Sequence, residues 1–123
     1  MRYINNKFFI EEKNIKSLTK KFNTPLYCYS YKNLRANIEN FKKAFKEIRP
    51  LICFSVKSNS NILLLKEIKK LGLGADVVSK GELYASLKAG INKNKIVFSG
   101  VGKTKDEIWV QGRNSLISVY MDP

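Results

Sequence analysis

No histidine occurs among the 123 residues. That excludes Ser-His-Asp and Cys-His nucleophile systems, histidine metal sites and histidine general bases. Cysteine is scarce: Cys28 and Cys53 fit neither a metal-ligand spacing nor a Cys-x-x-Cys redox motif. Their apolar, strand-like surroundings read as buried free thiols in a reducing compartment. Long apolar runs are missing too. The longest aliphatic run is Ile62-Leu63-Leu64-Leu65, against the roughly 18 residues a membrane helix needs. Met1 to Lys7 lacks the apolar core of a secretory signal. The expectation is a soluble cytoplasmic protein with no membrane partner. Proline is limited to Pro25, Pro50 and Pro123, so no proline-rich linker divides the chain.

Acidic side chains are few, 10 against 23 basic ones, for a net charge of +13. The excess is spread along the chain, with +8 in residues 1–50 and +5 in 51–123. Nineteen of the basic residues are Lys and four are Arg, whereas specific base and phosphate recognition leans on Arg. Weak attraction to polyanions follows, but no specific nucleic-acid partner is expected. The abundance of Lys, Asn and Ile reads as A/T-rich coding. A hydrophobic content of 44% argues against disorder despite the charge.

From Leu51 onward a strand–helix rhythm appears. Leu51 to Val56 is a short apolar run after Pro50, suited to a strand buried on both faces. Asn61 to Leu71 places Ile62, Leu65 and Ile68 on one helical face and Lys66, Lys69 and Lys70 on the other. Gly72 and Gly74 bracket its stop. Ala75-Asp76-Val77-Val78 reads as the next strand, and Ser79 with Glu82 as a capping box opening a helix that stops at Gly90. Ile96 to Ser99 is a third strand. Thr104 with Glu107 is a second capping box, starting a helix through Ile108, and Leu116 to Tyr120 a fourth strand. Starts near 51, 75, 96 and 116 have the pitch of successive βα units on a parallel sheet.

The first 50 residues differ. Thr24 to Tyr29 reads as extended, and Ser30 as a helix cap. Leu34, Ile38, Phe41, Phe45 and Ile48 then recur at steps of 4, 3, 4 and 3. Two heptads are too few for a coiled coil, so the pattern predicts one helix packing its stripe on the sheet.

Functional groups of a parallel α/β sheet gather at the carboxyl ends of its strands. Lys57 follows the Leu51–Val56 run directly. Desolvation there would favour the neutral amine that a nucleophilic or Schiff-base lysine requires. A lysine at a strand end is ordinarily solvated, so pattern alone leaves both readings open. Asp76 interrupts an apolar strand, and is either satisfied by backbone donors or paired with a cation such as Lys57. Gly100-Val101-Gly102-Lys103-Thr104 is not a nucleotide P-loop, because the position five before Gly102 is Val97 and not glycine. It reads as a Gly-rich strand-to-helix turn.

Phe54-Ser55-Val56-Lys57-Ser58-Asn59-Ser60-Asn61 resembles the Tyr-Ala-x-Lys-Ala-Asn motif of fold-type III pyridoxal-phosphate-dependent decarboxylases. The resemblance continues through Gly74 to Leu83, Leu87 to Ile91 and Lys95 to Thr104. Upstream it includes Thr24-Pro25-Leu26-Tyr27 with Tyr29-Ser30. It runs in order from about residue 22 to 108 and is strongest to the diaminopimelate branch. The ornithine/arginine branch tends to read Ala-Asn-Pro-Cys where this chain has Ser99-Gly100-Val101-Gly102, and stands as the alternative substrate class. A non-catalytic basic binding protein is the alternative of a different kind.

The resemblance implies an α/β fold, the first three to four βα units of a partial (β/α)8 TIM barrel of the alanine racemase-like type. Residues 1–30 would form an N-terminal extended segment pairing with a C-terminal β domain, and 31–123 the first part of the pyridoxal-binding barrel. It implies pyridoxal 5'-phosphate as cofactor, held by Lys57 as an internal aldimine, with Asp76 beside it tuning its charge state. The partner would be a small-molecule amino-acid substrate, with no specific nucleic acid and no membrane. Loss of its α-carboxylate yields, in the diaminopimelate branch, L-lysine and carbon dioxide, and the full-length family pairs as homodimers. A whole barrel takes about 250 residues. The phosphate-binding glycine loop, the acidic partner of the ring nitrogen, the stacking histidine and a partner subunit's cysteine motif are therefore expected beyond residue 123. Trp109 to Ser115 lacks the expected amphipathic helix and reads as premature termination, a frameshift or a diverged end. The 123-residue chain is expected to keep the lysine but to be a poor catalyst or inactive.

Overall fold

The computed structural model describes residues 1–100, 104–106 and the backbone of 117–118. The chain forms two compact units, Met1–Lys46 and Glu47–Pro123.

The first unit opens with three short antiparallel strands, β1 (Arg2–Ile4), β2 (Lys7–Ile10) and β3 (Lys13–Asn14), followed by α1 (Ile15–Phe22). Ile4 pairs with Lys7, leaving Asn5 and Asn6 as a two-residue turn, both at positive φ. That is the geometry of the tight turns that match strand twist, and asparagine tolerates it better than most residues. Residues 1–30 are thus not one extended segment. Strands, a helix and the turns between them occupy Arg2 to Phe22, and 23–30 carry no helix or strand. Helix α2 (Tyr31–Ala44) lies in the first compact unit.

A single carboxylate accounts for that. Glu11 Oε1 accepts hydrogen bonds from Ser30 Oγ at 2.8 Å and from the Lys32 amide at 2.9 Å, while Ser30 Oγ accepts from the Asn33 amide at 3.1 Å. The turn between β2 and β3 therefore holds the start of α2. The Lys32 N–H, then the Ser30 hydroxyl, holds the Glu11 carboxyl below its ordinary value. A lowered folded value means stabilisation that is present above the unfolded carboxylate range and lost as pH falls through the folded one. The Lys32 amide shift, followed by NMR against pH, is expected to report a midpoint below that of a free glutamate. Glu11→Gln is expected to abolish the transition.

The expected apolar stripe is half-buried at Leu34 and Ile38 and no deeper. No residue of α2 is buried, and Phe41 and Phe45 are exposed, their ring centroids 4.7 Å apart. The physical reason is the thinness of this unit, whose one buried hydrophobic side chain is Ile10.

The second unit holds the core. Its strands β4 (Cys53–Ser55), β5 (Gly74–Val77), β6 (Ile96–Phe98) and β7 (Ile117–Ser118) form one parallel sheet in chain order. Consecutive order is that of a singly wound barrel; a doubly wound sheet reverses direction across its first strand. Helices α3 (Ile62–Lys70) and α4 (Lys80–Lys88) make the first two crossovers. Ala75, Val77, Ile96 and Phe98 point to one face and are fully buried with Leu65, Ile68 and Leu83. The alternate residues Cys53, Asp76 and Val97 are only half-buried. β4 is shorter and wetter than the run Leu51–Val56 predicts: all three of its residues are half-buried. It lies at the sheet edge, with β5 as its partner.

Both helices end alike. After α3, the Gly72 and Leu73 amides bond to Lys69 O and Ile68 O; after α4, Gly90 and Ile91 bond to Leu87 O and Ser86 O. These are Schellman closures, in which the glycine takes positive φ, +78° at Gly72 and +85° at Gly90. At Gly90 an added Cβ would sit 3.9 Å from the Lys69 side chain, an ordinary contact, so any penalty is conformational. Gly90→Ala is expected to cost about 1 kcal/mol in urea unfolding. Among the described residues no helix is long and apolar enough to cross a membrane. The expected helix from Thr104 is seen only at its start, since Glu107 and Ile108 lie outside the described residues, as does Trp109–Ser115.

Candidate active site

Parallel strands place their carboxyl ends along one edge, and here that edge carries Lys57, Ser79 and Ser99. Lys57 sits in a single 3-10 turn, Val56–Ser58, directly after β4. The Asn59 amide bonds to Val56 O at 3.0 Å and Ser58 Oγ donates to Ser55 O at 2.7 Å, closing the turn. Asn59 Oδ1 accepts from the Asn61 amide at 3.0 Å, and Asn61 Oδ1 from Leu63 at 2.9 Å, which caps α3. The polar residues around Lys57 are thus spent on holding the backbone. Val56 is buried and anchors the turn, so the next side chain is turned outward.

Lys57 is exposed. The expectation that a dry strand end would desolvate it is not met, because a turn, not a continuing strand, carries it. It does stand on the same rim as the loops after β5 and β6. No described carboxylate forms an ion pair with it.

Asp76 lies opposite Ser55 on β4 and Val97 on β6. Among the described residues neither of its two expected partnerships occurs: its Oδ1 accepts a hydrogen bond from the Ser99 hydroxyl. The Ser99 amide bonds to Val77 O at 3.0 Å, carrying the parallel pairing one residue past β6. That step sets Ser99 on the Asp76 face of the sheet. Cys53 shares the face, its thiol 3.8 Å from Lys95 O. Burial, then the negative charge of Asp76, pushes the Cys53 thiol up. A raised thiol is a poor nucleophile. Both cysteines are free and half-buried rather than fully buried.

Lys57, Asp76, Ser55 and Ser99 therefore gather near one edge, against a sheet whose other face is dry. Ser99 was not singled out from the sequence. The period-two alternation Val97–Ser99, set in parallel register against Asp76, is the signal that finds it. At Ser79 the capping box holds in altered form: Ser79 Oγ accepts from the Glu82 amide, but Glu82 Oε2 accepts from Val78 N–H rather than from Ser79. After Ser99, a Cβ on Gly100 would fall 2.6 Å from Val78 O. Gly100 thus passes close to the Val78 carbonyl, and Val101–Lys103 lie outside the described residues.

Chemically, an accessible primary amine can condense with an aldehyde, and a half-buried carboxylate on a strand leading to the same rim can orient a cationic group. Comparison with known proteins points the same way. Residues 31–121 match the family model described as pyridoxal-dependent decarboxylase, pyridoxal binding domain. The chain is 45% identical over 108 residues to the diaminopimelate decarboxylase of Aquifex aeolicus, covering 88% of this chain and 25% of that protein. It is 46% identical over 107 residues to that of Haemophilus influenzae, covering 87% and 26%. The crystal structure of the M. jannaschii diaminopimelate decarboxylase in complex with L-lysine superimposes with a TM-score of 0.87 at 35% identity, covering 91% of this chain and 27% of that one. The chain spans about a quarter of the length of the curated relatives it matches.

Proposed function

The chain belongs to the pyridoxal-dependent decarboxylase family, through its pyridoxal-binding domain, and we propose that it carries the cofactor lysine of a diaminopimelate decarboxylase. The observation that carries the reading is Lys57, an exposed amine on the rim where the strands end, with no carboxylate partner among the described residues. The donor set fits pyridoxal phosphate: Lys57 would hold its aldehyde carbon, and Asp76 would face a cationic group of the bound cofactor. When bound, that cofactor supplies an electron sink for the electron pair left as the substrate's α-carboxylate departs as carbon dioxide.

The chain's own residues do the rest. The 3-10 turn fixes the origin of the Lys57 side chain on the rim. Asp76 brings a negative charge to the same strip. Fully buried Val77 and Phe98 keep water from the sheet behind it. The substrate reading, diaminopimelate to L-lysine, is supported by the names of the relatives and by the L-lysine held in the M. jannaschii structure. Groups that hold the phosphate and stack on the ring are expected from the part of the relatives' length that this chain does not span.

The test is chemical. The chain is mixed with equimolar pyridoxal phosphate, reduced with borohydride and mapped by mass spectrometry. The expected result is modification concentrated on Lys57 among the 19 lysines. Labelling spread evenly over exposed lysines would overturn the reading.

A further inference from the structure

Ser99 is clamped on both sides. Its amide is bonded to Val77 O at 3.0 Å, and the next residue, Gly100, passes so close to the Val78 carbonyl that no Cβ fits. With the backbone held, the side chain leaves in a fixed direction, and its hydroxyl donates to Asp76 Oδ1. The hydroxyl has one proton to give. Once donated, it locks the carboxylate's orientation, and the second oxygen receives no hydrogen bond from a described residue. Asp76 pairs with Ser55, two residues before Lys57. A half-buried carboxylate so placed, with one oxygen occupied and the other available, is set to face a cation arriving over the same rim.

We propose that Ser99 is a positioning residue for the pyridoxal site, acting through Asp76. The inference rests on the reading of Lys57 and Asp76 as cofactor residues. Without the hydroxyl, Asp76 can rotate about its side-chain bonds and presents its charge over a range of directions. Binding then includes the cost of ordering it. A neutral hydroxyl suits the task because it orders the carboxylate without neutralising it, as a lysine would.

The test uses the whole chain and four variants: Ser99→Ala, Ser99→Thr, Ser99→Val and Asp76→Asn. Pyridoxal phosphate is titrated by its visible absorbance, the fraction reduced onto Lys57 is mapped, and thermal unfolding is followed by circular dichroism. Ser99→Ala and Ser99→Val are expected to weaken cofactor binding about tenfold and to shift the visible band, in the range of losing one hydrogen bond to a charged group. Ser99→Thr keeps the hydroxyl and is expected to stay within about twofold of the natural chain. Val has the shape of Thr, so the Thr–Val pair separates the hydroxyl from packing even where the alanine variant unfolds. Adding Ser99→Ala to Asp76→Asn is expected to cost little more than Asp76→Asn alone. Cofactor bound normally by Ser99→Ala and Ser99→Val overturns the positioning role alone. Equal losses in Thr and Val also overturn it, by showing that only shape matters. Failure of the natural chain to take cofactor on Lys57 overturns the underlying reading, and this inference with it.

Discussion

Gly74→Ala is expected to unfold the Glu47–Pro123 unit or to lower its stability by about 3 kcal/mol or more. A Cβ at this position would lie 2.1 Å from the Lys95 carbonyl oxygen, 3.1 Å from its carbon and 2.9 Å from Cys53 Sγ. The first two are backbone atoms, and Lys95 is held in turn: its amide bonds to Asn92 O at 2.8 Å and its Nζ donates to Gly72 O at 3.0 Å. Gly74 cannot retreat either, because it pairs with Cys53 and its amide bonds to Ile52 O at 2.9 Å. Relief requires β5 to part from β4 or from the segment leading into β6. Since β5 lies between them, either movement opens the core at Ala75 and Val77. A domain's whole stability is only about 5–15 kcal/mol, so the loss is a large share of it. Urea unfolding by circular dichroism measures it. The double variant Cys53→Ala/Gly74→Ala separates the two contacts and is expected to recover little, because the carbonyl clash remains. A Gly74→Ala chain within 1 kcal/mol of the natural one would show that the strand spacing is not as described.

The second large effect falls on chemistry and leaves the fold untouched. Lys57→Ala is expected to abolish borohydride-fixed pyridoxal at this position, while the urea midpoint stays within about 0.5 kcal/mol. Exposure of the side chain makes the stability half of that expectation. Lys57→Arg is expected to be equally inert, although it keeps the charge, because a permanently protonated guanidinium offers no lone pair to an aldehyde. An arginine variant that still fixed the cofactor at another lysine, in comparable yield, would move the site elsewhere. Visible absorbance, mapping and unfolding on one preparation distinguish these outcomes.

What could be read from the residues was what local chemistry decides. Ser79 as a cap, and Gly72 and Gly90 as stops, bound α4 and the end of α3 where they were expected, and Ile96–Phe98 is the third strand. Such signals act within a few residues. The opening strands escaped because their turn residues are Asn5-Asn6 and Glu11-Glu12, weaker markers than an Asn-Gly pair, and because β3 has only two residues. At the site, the position of Lys57 was legible from the run before it. Its exposure was not, since that depends on a turn closed by Ser58 and Asn59. The partner of Asp76 lies 23 residues away and is chosen by strand register; no local pattern contains it. The exposed Phe41 and Phe45 teach the converse, for a periodicity of apolar residues declares that a face seeks cover without saying where.

The consecutive order of β4, β5, β6 and β7 has a further consequence for how the molecule comes into being. Each strand joins the one laid down just before it, so at the ribosome every new strand emerges to find its neighbour already made. No strand of this sheet need wait for a later one to fill a gap between two earlier ones. The order of translation and the order of assembly coincide.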